Sequence, residues 1–124
     1  MMKYSETKEF ERDLKKLSNK FRSLTEDLGI AKKNAIELFH LHDIDNGGIF
    51  EIKGVGNKEE LKFYKIKKFA CKSLPGRGVR SGIRIIYAYF PNKKEVVFLE
   101  IYFKSKQQKE KRERIFNFIS SNQL

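Results

Sequence analysis

The first third of the chain spaces its apolar residues as an amphipathic helix does. Six of them recur at intervals of three or four positions: Phe10, Leu14, Leu17, Phe21, Leu24 and Leu28. That spacing places them on one helical face. Ser23 followed by Glu26 matches a capping box, which predicts that a second helix begins near Leu24. We therefore predict an α-hairpin, with helices from about Thr7 to Leu17 and from about Leu24 to Phe39. A single continuous helix is the alternative.

The later part of the chain favours strands. Apolar and β-branched runs at residues 61–71, 81–90 and 95–104 predict three strands, and a short fourth strand is expected at 49–53. Pro91–Lys94 has the length of a hairpin loop, and residues 106–121 predict a charged final helix. The expected fold class is α+β: two N-terminal helices packed on a three- to four-stranded antiparallel twisted sheet, with a C-terminal helix. Helices are expected on one face of that sheet.

Length and composition indicate one folded domain, residues 1–124. The chain is 40% hydrophobic and 13% aromatic, which is richer than a disordered chain would be. Its one cysteine, Cys71, has no internal disulfide partner, so we expect a reducing, cytoplasmic location. Residues 1–6 lack the apolar stretch of a signal peptide, and the apolar runs are too short to span a membrane. We therefore expect no membrane partner.

The positive charge is concentrated in the second half of the chain. Residues 1–60 hold 11 Lys and Arg against 12 Asp and Glu, a net charge of −1; residues 61–124 hold 16 against 4, a net charge of +12. A field of one sign attracts a polyanion. This asymmetry favours a nucleic acid or the ribosome as partner, although a lysine-rich surface on a soluble domain is the plainer explanation.

Two lysines of the 61–71 strand are candidates for proton transfer. Strand alternation places Lys65 and Lys67 on one face and Tyr64 and Ile66 on the other. Repulsion between two lysines about 7 Å apart would favour the neutral form of one of them, making it a better proton acceptor. An ordinary solvated sheet face is the alternative.

Arg84 is a candidate for phosphate binding because it interrupts an apolar and aromatic strand. A charge in such a strand needs a defined partner. The guanidinium fork matches two phosphate oxygens. An internal ion pair with Glu100 on the next strand is the alternative, and the sequence does not separate the two.

Further cations flank these strands. The loop between the first two long strands carries Lys72, Arg77 and Arg80, and its glycines would let it clamp a phosphate backbone. Lys104 and Lys106 follow the last strand and would close the same basin. An ordinary hairpin turn and a helix start are the alternatives.

The sequence gives no good metal site. His40, His42 and Asp43 lie together but lack a further histidine or a cysteine to complete a zinc site. Asp43 and Asp45 resemble the start of a calcium loop, but Gly54 stands where the closing glutamate is required. We therefore expect neither a metal nor another cofactor.

The central strands resemble those of the RelE branch of the RelE/ParE toxin superfamily. The resemblance lies in Tyr64-Lys-Ile-Lys67, in Gly82-Ile-Arg-Ile-Ile-Tyr87 and in Val97-Phe-Leu-Glu-Ile-Tyr-Phe-Lys104. The opening Phe10-Glu-Arg-Asp-Leu-Lys-Lys-Leu17 is similar to the first helix of many such toxins. Most of the chain matches in element order, and residues 64–104 are the most specific part. The chain is longer than these toxins in the regions 43–60 and 72–81.

The resemblance implies the toxin of a toxin–antitoxin pair, which cuts messenger RNA in the ribosomal A site without a metal. Lys65, Lys67 and Arg84 match the strand cations of the family. Lys104 or Lys106 falls where another basic residue is common, and we take Lys104 as the catalytic candidate of the two. The expected RNA-binding residues are Arg77, Arg80, Lys72, Lys106 and Tyr102. The residues after Lys104 lack the tyrosine or histidine that many RelE-branch enzymes carry near the C-terminus.

Three functions remain open at this level. The first is the ribosome-associated mRNA endoribonuclease, whose expected partners are an acidic antitoxin, mRNA and the ribosome. The second is a ParE-like inhibitor of DNA gyrase, which does not need the Lys65, Lys67 and Arg84 set. The third is a non-catalytic relative that binds only nucleic acid or antitoxin.

Overall fold

The computed structural model of the chain describes residues 1–122. The elements follow in the order β1 (Lys3–Glu6), α1 (Lys8–Ser18), α2 (Leu24–Ala31), a π-helical segment (Lys32–Glu37), α3 (Leu38–His42), β2 (Ile49–Glu51), β3 (Lys62–Ile66), β4 (Ile83–Phe90), β5 (Glu95–Phe103) and α4 (Arg112–Ser121). The α+β class is confirmed. No helix in this part of the chain is both long and apolar enough to cross a membrane.

The predicted α-hairpin is confirmed. The hydroxyl oxygen of Thr7 accepts a hydrogen bond from the Phe10 backbone N–H at 3.2 Å and caps the start of α1. A turn at residues 19–23 separates α1 from α2, so the continuous-helix alternative is wrong. The second helix runs on through the π-helical segment into α3. It ends where Asp43 adopts a left-handed conformation with φ of 54°.

The sheet has five strands in the order β1-β5-β4-β3-β2, and β1 runs parallel to β5. The prediction of three to four strands, all antiparallel, was therefore wrong at this edge, whereas the central β3, β4 and β5 are antiparallel as predicted. No strand was predicted before the first helix, yet residues 3–6 form β1. This strand forms because the free edge of β5 pairs with it: the Lys3 N–H donates to the Lys94 carbonyl at 2.9 Å.

Both faces of the sheet are covered, which corrects the expectation of helices on one face. Ile83, Ile85 and Tyr87 of β4 point into a core that includes residues of α1 and α2. Ile86 and Ala88 point the opposite way, into a smaller core that contains Ile115 of α4. The C-terminal helix is therefore on the second face, which also carries the candidate site.

The position of α4 is fixed by an ion pair to α1. The Arg114 guanidinium donates to both carboxylate oxygens of Asp13, at 2.5 and 3.2 Å, and to the Leu99 carbonyl at 3.1 Å. Such a two-point contact constrains orientation as well as distance. It holds the start of α4, and the segment that precedes it, against β5.

A partly buried histidine packs against the core that lies between the sheet and helices α1 and α2, the helix-side core. Nε2 of His40 lies 2.7 Å from the Tyr87 hydroxyl, and the imidazole stacks on Tyr89 with ring centroids 3.9 Å apart. Burial lowers the pKa of His40 from its ordinary 6.5 to about 4. Within residues 1–122, no group of three or more His, Cys, Asp or Glu side chains could hold a metal ion. His40 is thus a structural member of an aromatic cluster.

We predict that His40 makes the fold less stable as the pH falls from about 6.5 to about 4. In that interval the unfolded chain takes up a proton that the folded chain resists, so protonation favours unfolding. Partial solvent exposure reduces the effect to on the order of 1–2 kcal/mol. Thermal melting at pH 7 and pH 4.5 measures it. The His40→Gln variant should lose this part of the pH dependence, and the exposed His42→Gln variant should keep it. An equal response of both variants would contradict the assignment.

Candidate catalytic site

The candidate cations of β3 lie on the sheet face that α4 shares. Tyr64 and Ile66 belong to the helix-side core, so the alternation predicted for this strand is confirmed, and Lys65 points to the opposite face. Lys67 lies just beyond the end of β3, where its N–H donates to the Gly48 carbonyl at 2.7 Å. The strand is therefore shorter than the predicted 61–71, because the chain turns away after this bond.

Lys65 has a carboxylate partner that the sequence reading did not include. Its Nζ lies 2.5 Å from Oε1 of Glu110, and the two side chains are 18% and 8% exposed. Oε1 accepts no other hydrogen bond within the described residues. Burial alone would raise the pKa of Glu110, but the Lys65 ammonium, and further away Arg112, hold it below its ordinary value. The pair therefore consists of a carboxylate and an ammonium.

Arg84 is oriented by a backbone carbonyl. Its Nη1 donates to the Lys67 carbonyl at 2.9 Å, which draws the half-buried side chain towards the end of β3. No ion pair of Arg84 is found within residues 1–122. The alternative pairing with Glu100 is therefore wrong. A guanidinium has five N–H donors, so this single bond leaves donors for an anion.

Glu100 is buried because a local network satisfies it. One carboxylate oxygen accepts the Lys111 backbone N–H at 2.8 Å, and the other accepts the Gln107 side-chain amide at 2.6 Å. Glu100 lies in β5 where the register with β4 shifts, opposite Ile86. These bonds pull the segment between β5 and α4 onto the sheet and bring Glu110 over Lys65.

Tyr102 completes the group. It pairs with Arg84 in the register of β4 and β5 and is only 4% exposed. Burial, followed by the charges of Glu110 and Glu100, raises the pKa of Tyr102 to about 12, against a smaller opposing effect of Arg84. The phenol is therefore neutral at pH 7 and able to donate a hydrogen bond.

The remaining predicted residues lie at different distances from this group. Lys104 is at the same end of the sheet, since its N–H donates to the Gly82 carbonyl at 2.8 Å, and it is exposed, as is Lys106. Arg77 and Arg80 are exposed in the loop that leads into β4. Lys72 lies away from this group. Its Nζ is 3.1 Å from Glu26 of α2, on the face of the sheet that α1 and α2 cover.

The structure therefore unites Lys65, Lys67, Arg84 and Tyr102 and adds Glu110. The sequence carries one signal for Glu110: it is one of only four acidic residues in 61–124, and it stands among Lys109, Lys111 and Arg112. An isolated carboxylate in a cationic run is a candidate for an internal ion pair. What spacing could not reveal is which lysine it would meet.

Comparison with solved structures identifies a similar fold. The chain is similar to a chain of the crystal structure of the archaeal RelE–RelB complex from Pyrococcus horikoshii OT3, with a TM-score of 0.51 and 13% sequence identity. The match covers 85% of this chain and 97% of that one. No family model and no curated protein sequence matches the chain. The chain thus has a RelE-like fold, as its strand motifs indicated.

Proposed function

We propose that the chain is the toxin of a toxin–antitoxin pair and that it cleaves mRNA on the ribosome without a metal. The observation that carries the proposal is the grouping of Lys65, Arg84 and Tyr102, with Glu110, on one sheet face of a RelE-like fold. Cations beside a neutral phenol suit a phosphodiester whose negative charge increases during reaction. A gyrase inhibitor needs no such set.

The proposed reaction is an internal transesterification of RNA. The 2′-oxygen attacks the adjacent phosphorus, the bond from phosphorus to the 5′-oxygen breaks, and a 2′,3′-cyclic phosphate and a 5′-hydroxyl result. The attacking hydroxyl loses a proton and the leaving oxygen gains one. Arg84 binds the phosphate through its uncommitted N–H donors, and Lys65 adds positive charge beside it.

We assign proton acceptance to Glu110 rather than to a lysine. Lys65 is paired with a carboxylate, and the Lys67 ammonium lies 4.8 Å above the Phe50 ring, so both lysines are in surroundings that stabilise positive charge. A lysine that carries its proton has no free lone pair and so cannot act as the proton acceptor. Glu110 is the carboxylate in contact with Lys65, and the same ion pair that lowers its pKa makes it a weaker base than a free carboxylate. The exposed Lys67 can protonate the leaving 5′-oxygen.

Induced expression followed by mapping of transcript ends tests the function. We expect growth arrest and new 5′-hydroxyl ends within translated regions, and cleavage by purified protein of mRNA on ribosomes. A parallel supercoiling assay with gyrase should show no inhibition. Growth arrest with intact transcripts and inhibited gyrase would replace the ribonuclease proposal with the ParE-like function. If induced expression had no effect on growth, the remaining alternative would be a non-catalytic protein that binds nucleic acid or an antitoxin.

The proposed partner is an antitoxin with an acidic, amphipathic segment. The similar chain comes from a RelE–RelB complex, and the net charge of +12 over residues 61–124 complements an acidic protein. We predict that a partner encoded beside this chain co-purifies with it and binds more weakly as salt rises. The Debye length, over which charges interact through the solvent, falls from about 10 Å at 0.1 M salt to about 3 Å at 1 M. Affinity that is equal at the two salt concentrations would contradict an electrostatic interface.

A further inference from the structure

An exposed aromatic ring lies beside the candidate site. Phe50 of β2 is 45% exposed and pairs in register with Lys65 of β3. Among the aromatic residues of 1–122, only Phe50 and Phe116 are this exposed. Helix packing does not account for Phe50, because it sits on the outermost strand of the sheet. Packing in the core therefore does not explain why this position is aromatic.

The surroundings of Phe50 are those of a surface for a single-stranded nucleic acid. The Lys67 Nζ lies 4.8 Å from the ring centroid, and the Lys67 carbonyl holds the Arg84 side chain. Phe50 and Arg84 are two strands and two residues apart on one face, roughly 12 Å from strand spacing and rise. Phe50 is therefore within reach of a strand whose phosphate is bound at Arg84. An aromatic ring flanked by cations is how proteins bind successive bases and phosphates.

We infer that Phe50 is a stacking platform for a base of the RNA strand whose phosphate binds at Arg84. The inference rests on the proposed function and adds to it a subsite on β2, in the 43–60 region that makes this chain long. The ring contacts the base by its face, and Lys67 neutralises the neighbouring phosphate. Stacking of this kind is largely independent of base identity, so Phe50 contributes affinity and strand position.

A tryptophan at this position would report stacking directly. The chain contains no tryptophan, so Phe50→Trp and Phe116→Trp each carry a single tryptophan, which can be excited selectively at wavelengths that its tyrosines do not absorb, at sites of similar exposure, 45% and 47%. The probe is a short 2′-O-methyl oligoribonucleotide, which has no free 2′-hydroxyl and so binds without being cut. We expect saturable quenching in Phe50→Trp at low salt and little in Phe116→Trp. Binding is measured separately by the anisotropy of a labelled oligonucleotide.

A second set of variants tests affinity. Phe50→Leu keeps an apolar side chain but removes the ring, and we expect binding roughly 10-fold weaker. Phe50→Tyr should bind like the parent, and Phe116→Leu is the matched control. The inference would be overturned by no RNA binding at all, by equal quenching in the two tryptophan variants, or by unchanged affinity in Phe50→Leu. Stronger quenching by polyglutamate than by RNA would also overturn it and indicate an acidic protein at this surface.

The outcome is separable from that of the proposed function. Oligonucleotide binding involves no cleavage, and cleavage on ribosomes is scored independently for the parent and for Phe50→Leu. Loss of quenching with intact cleavage removes the stacking subsite alone. Quenching without any cleavage by the parent protein removes the ribonuclease and leaves a nucleic-acid-binding surface.

Discussion

Replacing Arg84 with alanine is expected to reduce cleavage by about 10²–10³-fold while leaving the fold nearly unchanged. The side chain makes one hydrogen bond to protein, to the exposed Lys67 carbonyl, so its removal costs at most about 1.5 kcal/mol of unfolding free energy. The phosphate loses its two-point contact at the stage of reaction where negative charge is greatest. Cleavage of ribosome-bound mRNA and thermal melting of the same preparations measure the two effects.

Arg84→Lys separates charge from geometry. The lysine keeps the positive charge but lacks the fork that meets two phosphate oxygens, so we expect activity between that of the parent and that of Arg84→Ala. Arg12→Ala, which removes an exposed arginine from α1 on the other side of the sheet, should cleave like the parent. A fully active Arg84→Ala protein would remove Arg84 from the site, and an unfolded one would show that its role is structural.

Local patterns predicted α1 and the start of α2 well because these helices depend on neighbouring residues. Phe10, Leu14 and Leu17 form one face of α1 whatever follows. The predicted capping box of Ser23 and Glu26 does not form, because the Ser23 hydroxyl hydrogen-bonds to Asp27 and Ser73 instead. Alternation also assigned Lys65 to the face opposite Tyr64, since a strand's sides are fixed by its own residues. In these parts of the fold, the residues that determine the structure lie close together in the sequence.

Elements that depend on distant residues were less predictable. β1 exists because β5, some ninety residues later, offers it a free edge. The last helix was expected from residue 106, but it begins at Arg112 because buried Glu100 binds Gln107 and the backbone of Lys111 and keeps that segment extended. No pattern within residues 104–111 indicates this, because the constraint comes from a carboxylate in the preceding strand.

The residues of the candidate site also divide into those set by nearby sequence and those set by distant contacts. Lys65 and Lys67 could be selected because strand alternation places them on one face, and Arg84 because it interrupts an apolar strand. Glu110 could not, since its place above Lys65 depends on the path of an irregular segment. Its position changes the chemistry assigned to the lysines: a cation that already has a counter-ion stabilises charge and does not abstract a proton.

Replacing Lys65 with methionine is expected to harm both stability and activity, by separable causes. Methionine fills a similar volume but leaves Oε1 of Glu110 with no partner in a side chain only 8% exposed. Among residues 1–122, the carboxylate would keep only Arg112, whose Nε lies 3.4 Å from Oε2. Losing Lys65 should therefore cost about 2–4 kcal/mol of unfolding free energy, less than for a fully buried carboxylate with no partner. Cleavage should also fall by about 10²-fold or more, since one charge beside the phosphate is lost.

The double variant Lys65→Met with Glu110→Gln distinguishes the two causes. Glutamine removes the unpaired charge, so most of the lost stability should return, with a coupling energy of about 1–3 kcal/mol in the double-mutant cycle. Activity should not return, because the electrostatic contribution of Lys65 and the proton acceptor are then both absent. Glu110→Gln alone should melt close to the parent and lose about 10²–10⁴-fold in cleavage, the range for general-base removal. Denaturant unfolding and cleavage assays on the four proteins measure the cycle. Recovery of cleavage together with stability would mean that Lys65 serves only the fold, and full activity of Glu110→Gln would exclude Glu110 as the proton acceptor.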